Sequence, residues 1–389
     1  MAVKNRIADM QPEIAAWRQD LHAHPELRFD LPRTTAKVAG LLREFGVDEV
    51  TEGVGQSGIV AVIKGRRTDS GRVLGFRADM DALPILEATG ADYASTHAGK
   101  MHACGHDGHT AVLLGAAKYL AETRNFDGTV VLAFQPAEEG GGGARAMVAD
   151  GLMDRWGIQE IYGLHNFPGI PVGQFAIKEG PMLAAADFFE ITVRGKGGHG
   201  AQPHVSVDST LAGAAIVMAM QQVVSRNVDP LQPAVVSMTG FQTETQAHNV
   251  IPASAKLTGT VRTFHVPTKE LVRDRMKAIA ESTAAAYGAE VDFAYFDGVL
   301  PTINAADPTD YARAAAEAVT GQAPLDLPPS MGGEDFSEML AERPGAFIIL
   351  GNGPSADLHH PEYNFNDEAI PAGSSWFATL AEQRMPLSN

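Results

Sequence analysis

The sequence is short of cysteine, of positive charge and of long apolar runs, and each shortage excludes something. One cysteine in 389 residues, Cys104, rules out any intrachain disulfide. Thirty lysines and arginines against 47 aspartates and glutamates leave a formal charge of −17. That balance argues against nucleic acid as a partner, because phosphate binding needs a basic surface. A small anionic substrate is not excluded, since it answers to local charge rather than to the total. No stretch approaches the roughly 20 apolar residues of a membrane span. The N-terminal MAVKNRIADMQPE also lacks the apolar region of a secretory signal. No membrane partner and a cytoplasmic location are therefore expected. Low-complexity tracts and internal repeats are absent as well. What is present is a chain long enough for two domains and 45% hydrophobic, sufficient for a substantial core.

The lone cysteine stands in MHACGHDGHT, residues 101–110, together with His102, His106 and His109. A thiolate and an imidazole two residues apart, Cys104 and His106, can approach one metal ion from a single bend of backbone. The following TAVLLGAAKYLAE has helical periodicity, which puts the cluster at a helix start. Alone, Cys-x-His reads more readily as a buried thiol beside surface histidines. The rest of the chain has to decide.

Two helices are expected first, one ending near Pro25 and one from Arg33 to about Phe45. The glycines of TEGVGQSGIVAVIKG fit GxGxxG, but they lead into an apolar strand rather than a helix. A hairpin turn is the reading, not a dinucleotide site. Four apolar strands then end in polar residues: RVLGF before Asp79 and Asp81, GTVVLAF before Glu138 and Glu139, IQEIYGL before His165, and AFIILG ahead of His359 and His360. Strands alternating with helices predict a mostly parallel α/β sheet whose site lies beyond the carboxyl ends of its strands. Between them the order changes to β-α-β-β-α-β, the ferredoxin-like unit. The expected division is residues 1–184 and 300–389 as the catalytic domain, with 185–299 as an inserted ferredoxin-like lid or dimerisation domain.

Glu138 and Glu139 are adjacent, and on a regular strand they would point to opposite faces. Pro136 before them and the glycines 140–143 after them supply a turn that brings both to one site. One carboxylate can then hold a metal while its neighbour takes a proton from water. Asp79 is expected to orient His106 or another ligand through its free ring nitrogen. His109, in the first helical turn, reads as packed or supporting. Glu334 and Asp335 are expected to favour the dipole of the helix that follows them.

With these motifs in view, the sequence resembles the amidohydrolase branch of the co-catalytic metallopeptidase family that includes hippurate hydrolase, aminoacylases and indole-acetyl-amino-acid hydrolases. The resemblance is carried by RQDLHAHPEL, RADMDALPI, MHACGHDGH, FQPAEEGGGG, GLHNFPGIPVG, GKGGHGAQPH, HNVIP, GTVRTF, GGEDFS and LHHPEYNFND. These run from Arg18 to Asp367 in the family's order. It implies two divalent metal ions (zinc, manganese or cobalt) held by Cys104, His106, Glu139, His165 and His359, with the thiolate of Cys104 placed to bridge. His360 follows His359 where relatives have a small polar residue, so the two histidines compete for the last position, with His359 favoured. Glu138 is implied as general base and then acid. His199, Asn249 and Arg262 are implied as substrate contacts, Arg262 for a free α-carboxylate. The expected activity is metal-dependent cleavage of N-acyl amino acids in a homodimer or higher homo-oligomer. A dipeptidase or exopeptidase, and a catalytically silent binding protein, are the rival readings.

Overall fold

Residues 3–387 are described by a computed structural model. Its first compact unit comprises Met1–Met182, Ile303–Pro328 and Asp335–Asn389. The apolar strands build a seven-stranded sheet there. Its centre is parallel: Val73–Asp79 lies between Thr129–Gln135 and Glu160–Pro168, and Glu160–Pro168 pairs on its other side with Gly345–Gly353. The edges are antiparallel, Glu49–Val54 with Gly58–Lys64 on one side and Phe175–Ala176 on the other. Gly345–Gly353 is buried along its whole length, and Thr129–Gln135 nearly so. This is the pattern of strands covered by helices on both faces. Parallel registers place Asp79 opposite Gln135 and His165 opposite Ile349, so the polar strand ends share one edge of the sheet.

The helix His106–Thr123 lies against Asn5–Ala23 and Ile370–Arg384. Phe76, Phe134, Tyr162, Trp376 and Phe377 are buried with them in one apolar cluster. Each such side chain contributes roughly 1.5–3 kcal/mol by leaving water. The first helix stops at Ala23, ahead of Pro25, and the second spans Pro32–Glu44. The glycine-rich GxGxxG segment is a hairpin connection, with Gly53, Gly55 and Gln56 at positive φ.

The second unit comprises Leu183–Thr302 and Pro329–Glu334. Its antiparallel sheet has the order Ala234–Thr243, Ser254–Thr263, Ala185–Arg194, Glu290–Val299. Taken in chain order this is the ferredoxin-like arrangement. Residues on Ser254–Thr263 alternate between buried and partly exposed. The buried face packs on the helices Ser209–Gln222 and Val266–Ala286 through Leu257, Val261, Ile216, Met220, Val272 and Met276. Asp208 caps the first of these helices by accepting the Thr210 and Leu211 N–H groups. That helix is followed by a π turn at Val223–Asn227.

Candidate metal centre

The site begins with the turn that carries the glutamate pair. Ala137 sits at φ 52°, an uncommon conformation for a residue with a Cβ. The turn is closed by the Gly143 N–H donating to the Ala137 carbonyl at 3.0 Å. Buried Asp81 clamps it from the neighbouring strand end. Its Oδ1 accepts the Glu138 N–H at 2.9 Å and its Oδ2 the Glu139 N–H at 3.2 Å. The Asp81 main-chain carbonyl also accepts from His106 Nδ1 at 2.8 Å. One residue thereby aligns the two carboxylates and sets the histidine tautomer.

Gly105, at φ 89°, starts the helix and turns Cys104 and His106 toward the sheet edge. With Nδ1 engaged, His106 Nε2 is left as a lone pair, and it is buried without a hydrogen-bond partner. His165 repeats the arrangement: its Nδ1 meets the Asn166 carbonyl at 2.6 Å, while Nε2 lies 3.4 Å from Cys104 Sγ. Glu139 Oε1 is a second buried atom without a hydrogen-bond partner, 3.3 Å from His359 Nε2. His359 is held at φ 66°, its N–H bonded to the Ala103 carbonyl at 2.7 Å. His360 turns its Nδ1 to the Glu362 N–H instead. Of the two competing histidines, His359 is the one facing the carboxylate.

Two overlapping triads result. The donor atoms of Cys104, His106 and His165 lie within 4.8 Å of one another, and so do those of Cys104, Glu139 and His359. Cys104 Sγ belongs to both. Glu138 joins His106 and Glu139 in a third group of the same span. Electrostatics fits the same conclusion. Burial pushes the Cys104 thiol well up and the His165 imidazole well down, so both are neutral without a nearby cation. Buried donor atoms that converge in this way suit a divalent cation, which would take the place of the thiol proton, and the thiolate, imidazole and carboxylate set is within the range for zinc, manganese or cobalt.

Three expectations need correction. Asp79 does not orient His106 through a ring nitrogen: its Oδ1 meets His109 Nδ1 at 2.6 Å and its Oδ2 accepts from Arg77 at 2.7 Å. His106 is already held by the Asp81 carbonyl, so Asp79 supports His109, whose Nε2 accepts the Asn166 N–H at 2.9 Å. Asp335 makes no side-chain cap bond to its helix. Its carboxylate is drawn inward by Arg77 (3.2 Å), Gln135 Nε2 (2.7 Å) and the Ala144 N–H (3.0 Å). The inserted unit reaches beyond residues 185–299, since Pro329–Glu334 packs with it. Sequence reading also missed Asp81 and Asn166. Asp81 had a signal, because its period-2 relation to Asp79 past a strand end gives it the same face.

His199, Asn249 and Arg262 belong to the second unit. His199 pairs with Val250 in a two-stranded ribbon, and the Gly200 N–H bonds the Asn249 carbonyl at 2.8 Å, so His199 and Asn249 are neighbours. His199 Nδ1 accepts the Ala201 N–H at 3.0 Å, which leaves the proton on Nε2 as a donor. Arg262, half-buried, donates to Thr260 Oγ1 and to the Val261 carbonyl. Among the described residues, no carboxylate stands within ion-pair distance of it.

The sequence and the fold match known proteins. The profile of peptidase family M20/M25/M40 matches residues 75–383. N-acetylcysteine deacetylase of Bacillus subtilis is 42% identical, covering 94% of each chain. Hippurate hydrolase of Campylobacter jejuni is 39% identical over 96% of this chain and 97% of its own. The crystal structure of the YXEP protein of Bacillus subtilis, a dinuclear metal-binding peptidase, superposes with a TM-score of 0.86. It is 37% identical over 97% of this chain and 99% of that one.

Proposed function

From the premise that this chain belongs to peptidase family M20/M25/M40, we propose that it is a metal-dependent amidohydrolase that cleaves N-acyl amino acids to a carboxylic acid and a free amino acid. The observation that carries the reading is the pair of triads sharing Cys104, with Glu138 beside them. Cys104, His106, Glu139, His165 and His359 would hold two divalent ions. Bound there, the ions would supply Lewis acidity toward the amide carbonyl and lower the pKa of water.

The chain's own residues would supply the rest. Glu138, held by Asp81 through its N–H, would take the proton of the attacking water and return it to the leaving nitrogen. His199 presents an Nε2–H suited to the developing oxyanion, and Asn249 stands beside it. Among the described residues no carboxylate forms an ion pair with Arg262, and its planar fork matches the α-carboxylate of an amino acid. We further propose a cytoplasmic homodimer formed by the second unit, whose exposed Leu211 and Met218 and edge strand Ala234–Thr243 offer a two-fold face. Sedimentation as a monomer at micromolar concentration would refute that assembly.

The test of function is metal analysis followed by turnover of N-acetyl, N-benzoyl and indole-acetyl amino acids by wild type and Glu138→Gln. The variant should keep its metal and lose ~10²–10⁴ in rate, the scale of a general base. Near wild-type turnover would end the assignment of Glu138.

A further inference from the structure

We propose that Asn166 is a positioning residue for the metal centre, whose side-chain amide sets how tightly the centre retains a divalent ion. The proposal rests on Cys104 and His165 acting as ligands.

Asn166 is fully buried and touches each part of the centre that must stay in register. Its Nδ2 donates to the Cys104 carbonyl at 2.8 Å and faces His109 Nε2 at 2.9 Å. Its Oδ1 accepts from the Tyr363 hydroxyl, four residues beyond His359. The main-chain N–H goes to His109 Nε2 at 2.9 Å and the main-chain carbonyl takes His165 Nδ1 at 2.6 Å. Both polar main-chain groups and both amide atoms are therefore engaged around the donors.

The chemistry of the partners dictates which way round the amide sits. The Cys104 carbonyl carries no proton, so only the amide nitrogen can face it. His109 Nε2 accepts a main-chain N–H, so its proton is on Nδ1 and is given to Asp79 Oδ1, which Arg77 holds from the other side. The chain Arg77–Asp79–His109–Asn166–Tyr363 thus has one consistent set of donors and acceptors, and in a dry interior such a set resists rearrangement. The Cys104–Gly105–His106 bend is moulded on the same amide: a Cβ at Gly105 would lie 2.3 Å from Asn166 Nδ2 and 2.6 Å from the Tyr363 oxygen. Asn166 is joined to the Cys104 bend, to the His165 strand end and, through Tyr363, to the segment that carries His359. A change in its hydrogen bonding displaces donors without removing one.

Asn166→Asp tests this. It keeps the shape and the acceptor for Tyr363, but sets a carboxylate oxygen against the Cys104 carbonyl and His109 Nε2. Metal affinity is measured by competition of Zn²⁺ between the protein and a chromophoric chelator. The thiolate-to-cobalt absorption of the Co²⁺-loaded protein reports the Cys104 contact, and circular dichroism reports folding. The folded variant should bind Zn²⁺ about 10–100-fold more weakly, the range for residues that orient ligands, with a shifted or weakened cobalt band. Tyr363→Phe removes a single hydroxyl, should lower affinity several-fold, and decides the matter if Asn166→Asp does not fold. Wild-type affinity and band in a folded variant, even one of lower thermal stability, would make Asn166 a packing residue and overturn the proposal. Absence of a cobalt–thiolate band in the wild-type protein would overturn the ligand reading itself, which separates the two failures.

Discussion

Replacing Arg77 with methionine should cost more stability than its lost volume explains. Arg77 is entirely buried on the Val73–Asp79 strand, with Asp79 Oδ2 at 2.7 Å, Gln135 Oε1 at 2.8 Å and Asp335 Oδ1 at 3.2 Å. Methionine fills much of the same space, and a substitution that conserves volume usually costs below about 1.5 kcal/mol. Charge therefore decides the outcome. Asp79 keeps His109 Nδ1, and Asp335 keeps Gln135 and the Ala144 N–H, but both carboxylates lose their cation in a dry interior. Breaking a buried pair in this way costs about 3–5 kcal/mol. The two carboxylates share one cation, so the figure applies once to the set. In a unit of this size each kcal/mol lowers Tm by about 2–4 °C, giving a fall of roughly 6–20 °C.

The assay is convenient because all three tryptophans, Trp17, Trp156 and Trp376, belong to the first unit, so their fluorescence reports its unfolding. Arg77→Lys retains a charge without the fork that reaches Asp79, Gln135 and Asp335 together, and should fall between wild type and Arg77→Met. A methionine variant within about 1 kcal/mol of wild type, or lysine and methionine variants of equal stability, would refute the electrostatic account.

Other outcomes follow from the same geometry. His22 lies between Asp107 (2.8 Å) and Glu87 (3.2 Å), with Arg18 and His102 also facing it. Burial lowers its pKa, but the Asp107 carboxylate outweighs that and raises it to about 9. Its stabilisation, roughly 2–4 kcal/mol by linkage, is complete below the unfolded value near 6.5 and is lost as pH rises through 9. Denaturant titrations should show wild type losing stability from pH 7 to 9.5 more steeply than His22→Gln; parallel curves would contradict this. Alkylation of Cys104 should be slowed by added metal, and chelators should abolish turnover; equal labelling in both states would count against coordination. Arg262→Ala should lose about 2–5 kcal/mol of transition-state stabilisation, the cost of truncating one member of a buried charge pair, in kcat/KM for N-acyl amino acids and little for the corresponding amides. Equal losses on both would make Arg262 a residue of the fold.

Much of this protein is determined locally. Apolar runs separated by helical periods dictate a covered parallel sheet, because buried strands must be apolar on both faces and a parallel return requires a crossover. The change to β-α-β-β-α-β marks an insert for the same reason. Cys104-x-His106 and the Glu138–Glu139 turn are legible as candidates because their donor atoms are neighbours in sequence, while their roles are what the family resemblance implies. Tertiary structure decided what depends on distant residues meeting. Asp81 lies 57 residues from the glutamate it clamps, and Tyr363 lies 197 from Asn166. Asp335 reads by position as a carboxylate favouring the dipole of its helix, yet Arg77, 258 residues away, draws it into the interior. His359 and His360 are indistinguishable as adjacent imidazoles until a left-handed backbone turns one toward Glu139 and the other toward its own loop. Which ring nitrogen carries a proton follows from the other nitrogen's partner, and that partner is supplied by packing, which no local pattern encodes.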